Sequence, residues 1–323
     1  MNFSASEFTR ALTGARDALD RLLVHADALA EQGDALGSLI SLQASPNKAD
    51  SLLELELTTK LQRSFGLATR DLQAMSFEWR LGFVDTLTVT AQRSDERNAP
   101  ALGQVLASPA CRFLRHLKIQ TTRDASWLAE VPGLDGLELL TRLTCTHGLA
   151  TFGQVSKRLT RLRHLTLGTT RLKARALKLP LHGLELINDT GGPSPAAADL
   201  HALFAAPPWT ELEHLKLQDV QLDVTQVLEN NPLTSLDLSD AGALEALAQS
   251  PHLSKLKKLT IRSFDGLGPL LACRARLAGA SLHLVRGTCA PAELNALRAS
   301  LKQVTWADLH GPVGEGGFAM KLR

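Results

Sequence analysis

Leucine and related apolar residues recur along most of the chain in the spacing L-x-x-L-x-L. The frame is clearest at 233–238, and close copies occupy 212–217, 162–167, 256–261 and 114–119. Looser copies begin at Val84, Leu140 and Leu181, and degenerate ones surround Leu282 and Val304. Between the fourth positions of successive frames the intervals run from 19 to 31 residues, which is the range of leucine-rich repeats with two insertions.

Each frame predicts a β-strand, because residues at alternate positions of a strand point to the same face. The segments between frames favour helices, as at 241–249, where Leu244 and Leu247 share a face and Ser250-Pro251 ends the helix. The segments 101–107 and 196–205 repeat that arrangement. The sequence therefore predicts an α/β leucine-rich-repeat horseshoe solenoid, with a concave parallel sheet of about ten strands and convex helices.

One feature of such repeats is missing. The Asn usually found five residues after the fourth frame position is replaced, for example by Val220 and Phe264. The backbone groups that this Asn would satisfy must therefore find other partners. Glycine-rich stretches at 191–195 and 311–317 predict surface loops, and neither has the spacing of a phosphate-binding loop.

Residues 1–78 have helical periodicity instead. Ser4 and Glu7 form a capping box for a first helix, and Asp34 caps a third that ends before Ser45-Pro46. Between them a second helix is predicted at 15–32, and a fourth, long helix is predicted at 50–75. We therefore expect a small all-α domain, 1–78, that caps the first repeat of a solenoid formed by residues 79–323.

Two stretches of this N-terminal region resemble a known family. The run 26–34, Ala-Asp-Ala-Leu-Ala-Glu-Gln-Gly-Asp, and the run 37–43, Gly-Ser-Leu-Ile-Ser-Leu-Gln, are similar to the repeat-companion domain that precedes leucine-rich repeats in many bacterial proteins. The run 79–84, Trp-Arg-Leu-Gly-Phe-Val, resembles the junction that this family places before its first repeat. The family's Trp, Pro and second Glu are here Ala28, Ala35 and Ser38. The resemblance implies an architecture and no catalytic residue.

The composition is that of a folded protein, with 44% apolar and 21% charged residues. Four widely separated cysteines, Cys111, Cys145, Cys273 and Cys289, form no C-x-x-C pair, so we expect reduced and mostly buried thiols. Since there is neither an apolar run long enough for a membrane span nor a signal-peptide core, a cytoplasmic location is expected.

The net charge of +2 hides a segregation of charge along the chain. Residues 139–184, the basic belt, contain nine Lys or Arg and no acid, whereas residues 185–251 contain eleven acids and the single base Lys216. In a solenoid these blocks become adjacent bands of opposite charge. Such bands would favour oriented, salt-sensitive association with a partner or with a second copy of the chain.

No catalytic or metal-binding motif is present. His116, His164 and His214 occupy the same frame position on alternate strands, about 10 Å apart at the usual strand spacing, which is too far for one metal ion. Cys145 occupies an inward frame position and favours a packed thiol over a nucleophile. We therefore expect no enzyme activity, no metal and no cofactor.

The side chains on the outward face of the strands are the candidate partner-binding residues. They are polar, small and mostly basic: His116, Lys118, Arg142, Thr144, His164, Thr166, Glu185, His214, Lys216, Asp237, Lys258 and Thr260. The sequence thus favours a non-enzymatic protein-interaction module that recognises a protein through the concave surface. The alternatives are a polyanion or nucleic-acid binder using the basic belt, an enzyme whose site is not visible in the sequence, and a solvated face without a partner. Because aromatic residues are nearly absent from this face, nucleic acid is the less expected ligand.

Overall fold

A computed structural model describes residues 3–45, 51–91, 97–121, 125–147, 152–169, 179–188, 204, 211–220, 224–239, 244–307, 309–310 and 319–320. The chain divides into two units, residues 1–147 with 154–162, and residues 148–153 with 163–323. Both units combine helices with a sheet of mostly parallel strands, as the sequence predicts. The predicted division between residues 78 and 79 falls inside the first unit and remains a proposal.

The first unit begins with five helices. They are α1 (Ala5–Leu12), α2 (Arg16–Glu31), α3 (Ala35–Ala44), α4 (Ser51–Ser64) and α5 (Thr69–Gln73). The capping box of Ser4 and Glu7 is confirmed, and the Asp34 side chain accepts a hydrogen bond of 2.9 Å from the backbone N–H of Leu36. The single helix predicted at 50–75 is wrong. It stops at Ser64 because Gly66 adopts a left-handed conformation with φ of 71°.

A β-hairpin that the sequence pattern did not predict follows. Strand β1 (Met75–Arg80) pairs antiparallel with β2 (Phe83–Ala91). The two residues between the strands, Leu81 and Gly82, have φ of 49° and 82°. Positive φ at both positions is typical of the tight turn whose twist matches that of a hairpin.

An aromatic cluster joins the helices to the sheet within this unit. The Phe8 ring of α1 lies 5.1 Å from Phe83 and 4.5 Å from Phe113, centroid to centroid, and all three rings are buried. The side-chain carbonyl of Gln43 accepts a hydrogen bond of 2.7 Å from the Gly82 N–H, and a Cβ at Gly82 would lie 2.2 Å from Ile40. The residues that carry the family resemblance thus hold the helices against the hairpin turn.

The rest of the first unit extends the sheet in parallel. It contains α6 (Asn98–Leu106), β3 (His116–Thr121), β4 (Arg142–Cys145) and most of α7 (Phe152–Arg158), together with short 3₁₀ helices at Pro109–Cys111, Ser126–Glu130 and Leu134–Gly136. The fourth frame residues Leu87, Leu117 and Leu143 are register partners on β2, β3 and β4, and all are buried.

The second unit repeats the same pattern. Its strands are β5 (His164–Gly168), β6 (Gly183–Ile187), β7 (His214–Gln218), β8 (Ser235–Leu238), β9 (Lys258–Asp265), β10 (Ser281–Thr288), β11 (Gln303–Trp306), β12 (Leu309–His310) and β13 (Ala319–Met320). Its helices are α8 (Val224–Asn230), α9 (Leu244–Gln249), α10 (Gly268–Cys273) and α11 (Pro291–Ser300), with a 3₁₀ helix at Pro251–Lys255. Strands β5 to β11 are parallel, and their fourth frame residues, from Leu165 to Val304, are register partners from strand to strand.

The predicted frames therefore coincide with strands, and neither unit closes its described strands into a barrel. Successive strand-and-helix segments of this kind are compatible with a repeat solenoid, whereas the horseshoe curvature stays a prediction. The predicted loops at 191–195 and 311–317 lie outside the described residues, as does the helix at 196–205 except for the buried, helical Phe204. Where the chain is described, no helix has both the length and the apolar character needed to cross a bilayer.

Basic side chains donate hydrogen bonds to backbone carbonyls in the helical and loop segments between strands. The Arg158 guanidinium donates to the carbonyl of Ala129 at 2.8 Å, and that of Arg161 donates to Glu138 at 2.7 Å. In the second unit Lys255 donates to Leu228 at 3.3 Å, and Arg276 donates to Ser250 at 2.8 Å and to Ala248. Each of these side chains satisfies carbonyls about one repeat earlier in the sequence.

Candidate interaction surface

The polar face of the sheet is formed by the third and fifth positions of each frame. These positions flank the buried fourth position, so their side chains lie on the side of the sheet away from the leucine core. All twelve candidate residues lie on strands at these positions. His116, Lys118, Arg142 and Thr144 belong to the first unit, and the other eight belong to the second.

In the first unit the candidate residues contact one another and strand β1. His116 Nε2 lies 2.9 Å from Thr144 Oγ1, and the Lys118 ammonium lies 3.3 Å from a carboxylate oxygen of Glu78. The Arg142 side chain is exposed. Burial, with the positive charges of Lys118 and Arg142, lowers the pKa of His116 to about 4, so this histidine is neutral near pH 7.

In the second unit the fifth positions contain two neutralised carboxylates. The Lys216 ammonium and the Thr166 hydroxyl both donate to Glu185, the latter at 3.1 Å. Two nitrogens of Arg262 donate to the two oxygens of Asp237, at 2.8 and 2.7 Å. Thr260, on the strand beside Asp237, also faces this side but is buried, with 5% of its surface exposed. The acids of this face therefore contribute little net negative charge.

The third positions of the same strands alternate large donors with small residues. Along the row from β5 to β10 they are His164, Gly183, His214, Ser235, Lys258 and Ser281. A Cβ built on Gly183 would lie 2.6 Å from His164 Nδ1, which means that the His164 ring leans over the glycine. His214 and Lys258 are exposed, whereas Ser235 and Ser281 are partly exposed.

Two residues of the polar face were missed in the sequence. Arg262 lies on β9 one residue beyond the frame, and Glu78 lies on the unpredicted strand β1. The signal for Arg262 is the same alternation continued past the sixth position, since residues 258, 260 and 262 share one side of a strand. Glu78 follows directly after the helix predicted at 50–75, and no strand was predicted there that could place it on the polar face.

The basic belt is only partly described. Arg171, Lys173, Arg175 and Lys178 lie outside the described residues. Among the rest, Arg158 and Arg161 donate to backbone carbonyls, and Arg158 also forms an ion pair of 2.9 Å with Asp135. These contacts stabilise the fold. Both guanidinium groups are therefore already engaged with acceptors of the chain itself.

The four cysteines are buried thiols, as expected, and none forms a disulfide. Burial raises the pKa of Cys111 to about 12 and also raises the pKa values of Cys273 and Cys289, which keeps these thiols protonated. Within the described part of the chain, no three His, Cys, Asp or Glu side chains are placed to share a metal ion.

Comparisons with known proteins find similarity among solved structures only. No family model matches the chain, and no curated protein matches it. A structural-genomics crystal structure of a protein from Bacteroides fragilis is similar, with a TM-score of 0.47 and 13% identity, over 80% of this chain and 83% of that one. A TM-score below 0.5 supports no inference about function.

Proposed function

We propose that the chain is a non-enzymatic protein-interaction module of the leucine-rich-repeat type, which recognises a protein partner through the polar face of its sheet. The observation that supports this most directly is the register of that face. In each unit, strand after strand presents polar side chains in aligned rows opposite a leucine core. Extended arrays of this kind are the surfaces that repeat proteins use for partners.

The contacts on the polar face suit recognition of a protein. Glu185 and Asp237 are held by Lys216 and Arg262, so that both acids keep fixed positions. Hydrogen-bonding groups fixed in advance lose less conformational entropy when a partner binds.

The alternative of a polyanion binder is less well supported. Arg158 and Arg161 of the basic belt donate to carbonyls within the fold. Stacking aromatic side chains, which single-stranded nucleic acids favour, are absent from all twelve candidate positions. A polyanion remains an outcome that the experiments below can detect.

Site-specific photo-crosslinking in extracts of the native host tests this proposal. A photoreactive phenylalanine analogue would be placed on the polar face, at Gln218 or Thr305, and away from it, at Glu245 of α9 or at Lys302. We expect the two face positions, and neither control position, to form an adduct with a defined protein that mass spectrometry can identify. All four sites are described and at least partly exposed.

The control positions show whether the partner binds the polar face or another surface. Adducts formed only from Glu245 or Lys302 would place binding away from the polar face and contradict the proposal. Adducts from face positions that disappear after nuclease treatment would instead support the nucleic-acid alternative.

A further inference from the structure

In the third-position row of the second unit, small residues lie between larger ones at regular intervals. The inference drawn from this row rests on the proposed interaction function. We call the position of a small residue between two larger ones a gap, and at two gaps the small residue is a serine. Ser235 lies in register between His214 and Lys258, and Ser281 lies in register between Lys258 and Gln303. The corresponding gap at Gly183 is covered by the His164 ring. The row therefore has two neighbouring gaps, at Ser235 and at Ser281, that share Lys258.

Each gap is lined by groups that can donate hydrogen bonds. Lys258 offers an ammonium group, Gln303 an amide and the serines a hydroxyl each. Among the described residues, no carboxylate lies within ion-pair distance of Lys258. The nearest acid in the adjacent row on β8 is Asp237, and both of its oxygens accept from Arg262. A carboxylate placed in the Ser281 gap would thus meet donors and one unneutralised positive charge. The Ser235 gap shares that charge and is bordered on its other side by His214, whose Nε2 lies 3.9 Å from a carboxylate oxygen of Glu213.

The spacing of the gaps matches one extended backbone conformation. Ser235 and Ser281 lie two strands apart, which corresponds to about 9.6 Å at the usual distance between strands. A polyproline II helix rises about 9.3 Å in three residues, so every third side chain points the same way at nearly this distance. A β-strand places same-facing side chains only about 6.6 Å apart and does not match.

We propose that this row binds an extended acidic segment of a protein partner in the polyproline II conformation, with Asp or Glu at every third position. Two successive carboxylates occupy the gaps at Ser235 and Ser281, and Lys258 lies between them. The intervening residues of the segment face solvent or contact the neutral pairs of the adjacent row.

A fluorescence anisotropy titration of the full chain tests this. One labelled peptide consists of Glu-Pro-Pro repeats, and the other has the same composition with its glutamates adjacent in pairs. We expect the repeat peptide to bind more tightly. Lys258→Glu should raise its dissociation constant by about fivefold or more, since reversal replaces an attraction with a repulsion. Ser235→Leu and Ser281→Leu should also weaken binding, because each fills a gap without changing the charge.

The matched control is Lys257→Glu. It makes the same change in net charge one residue away, at an exposed position outside the polar row. Its effect should stay below about twofold, and thermal melting of every variant checks that the fold is kept. Equal binding of the two peptides, or equal loss in the two lysine variants, would overturn the proposal.

Two further results separate this inference from the proposed function. Tighter binding of heparin or single-stranded DNA than of the repeat peptide, with the same dependence on Lys258, would mean that the row binds polyanions. A specific adduct from the face positions Gln218 or Thr305, without any binding of the repeat peptide, would leave the interaction function standing and reject the acidic segment.

Discussion

Small residues decide which parts of the polar face are open. At Gly183 the missing side chain makes room for the ring of His164 on the adjacent strand. At Ser235 and Ser281 the side chains are shorter than those of their register partners His214 and Lys258. The chemistry of the face therefore depends as much on where side chains are small as on where they are charged.

His116 should make the first unit sensitive to acid. Its pKa in the folded chain is about 4, through burial and the positive charges of Lys118 and Arg142, while Glu78 and Asp85 act in the opposite direction. In the unfolded chain a histidine has a pKa of about 6.5. Between these pH values the unfolded chain binds the extra proton, so stability falls as the pH is lowered from about 6.5 to about 4.

The variant His116→Gln should reduce this loss. Melting temperatures measured at about pH 7 and about pH 4.5 should differ less in the variant than in the natural protein. His214→Gln makes the same substitution at an exposed position of the second unit and serves as the matched control. An equal loss in the natural protein and in His116→Gln would contradict the assignment to His116.

At the scale of elements, close helix packing depends on one glycine. A Cβ on Gly37 of α3 would lie 2.3 Å from the carbonyl oxygen of Ala26 and 2.6 Å from the backbone nitrogen of Ala30, both on α2. Gly37→Ala should therefore destabilise the protein by about 1–3 kcal/mol, because backbone must move to admit the methyl group. Urea unfolding measures this. Gly279→Ala, where a Cβ would meet nothing within 4 Å, should change the free energy of unfolding much less.

The basic side chains that donate to carbonyls of an earlier repeat should also stabilise the array. Arg276 donates to the carbonyls of Ala248 and Ser250 at the end of α9. Arg276→Met keeps most of the aliphatic stem and leaves these acceptors without the guanidinium, so we expect a loss of about 1–3 kcal/mol in urea unfolding. Arg274→Met removes only a local contact to Leu271 and is the control. An equal loss of unfolding free energy in the two variants would show that the contact of Arg276 with the earlier repeat does not stabilise the protein more than a local contact does.

The strands and the register were predictable from the sequence because the leucine frame repeats within each strand. Leu215 and Leu236, for example, are register partners as their frames require. Hairpin strand β1 was not predictable, since the apolar spacing before it also fits a helix and the turn depends on φ at Leu81 and Gly82. Glu185 and Lys216 are likewise register partners that the frames align across an insertion, whereas the hydrogen bond between their side chains was not predicted.

At the scale of the whole molecule, positive and negative residues are more strongly separated along the sequence than on the polar face. The block 185–251 contains eleven acids, yet the two acids of that block among the candidate residues, Glu185 and Asp237, are each paired with a base. In the preceding belt, Arg158 is paired with Asp135. Association through the charge bands, with a partner or with a second copy, stays a prediction, and these pairs reduce the charge available for it.

Removal of residues 1–78 should separate a cap from the apolar edge that it covers. Phe83 and Phe113 are 3% and 1% exposed, and both contact Phe8 of α1. Without residues 1–78, which contain the five helices and residues 75–78 of β1, both rings would face water at one end of the strand array. Burying an aromatic side chain contributes about 1.5–3 kcal/mol, and exposed apolar edges promote aggregation. We therefore expect residues 79–323 to lose solubility and to melt at a lower temperature than the full chain.

Two variants make this test independent of simple chain shortening. Phe8→Ala in the full chain should lower the melting temperature in the same direction, because it removes the ring that contacts both Phe83 and Phe113. In the truncated chain, Phe83→Ser with Phe113→Ser should recover part of the solubility, since the uncovered surface becomes less apolar. Soluble, monomeric residues 79–323 that melt at the temperature of the full chain, measured by sedimentation and calorimetry, would show that the helices do not cap the sheet.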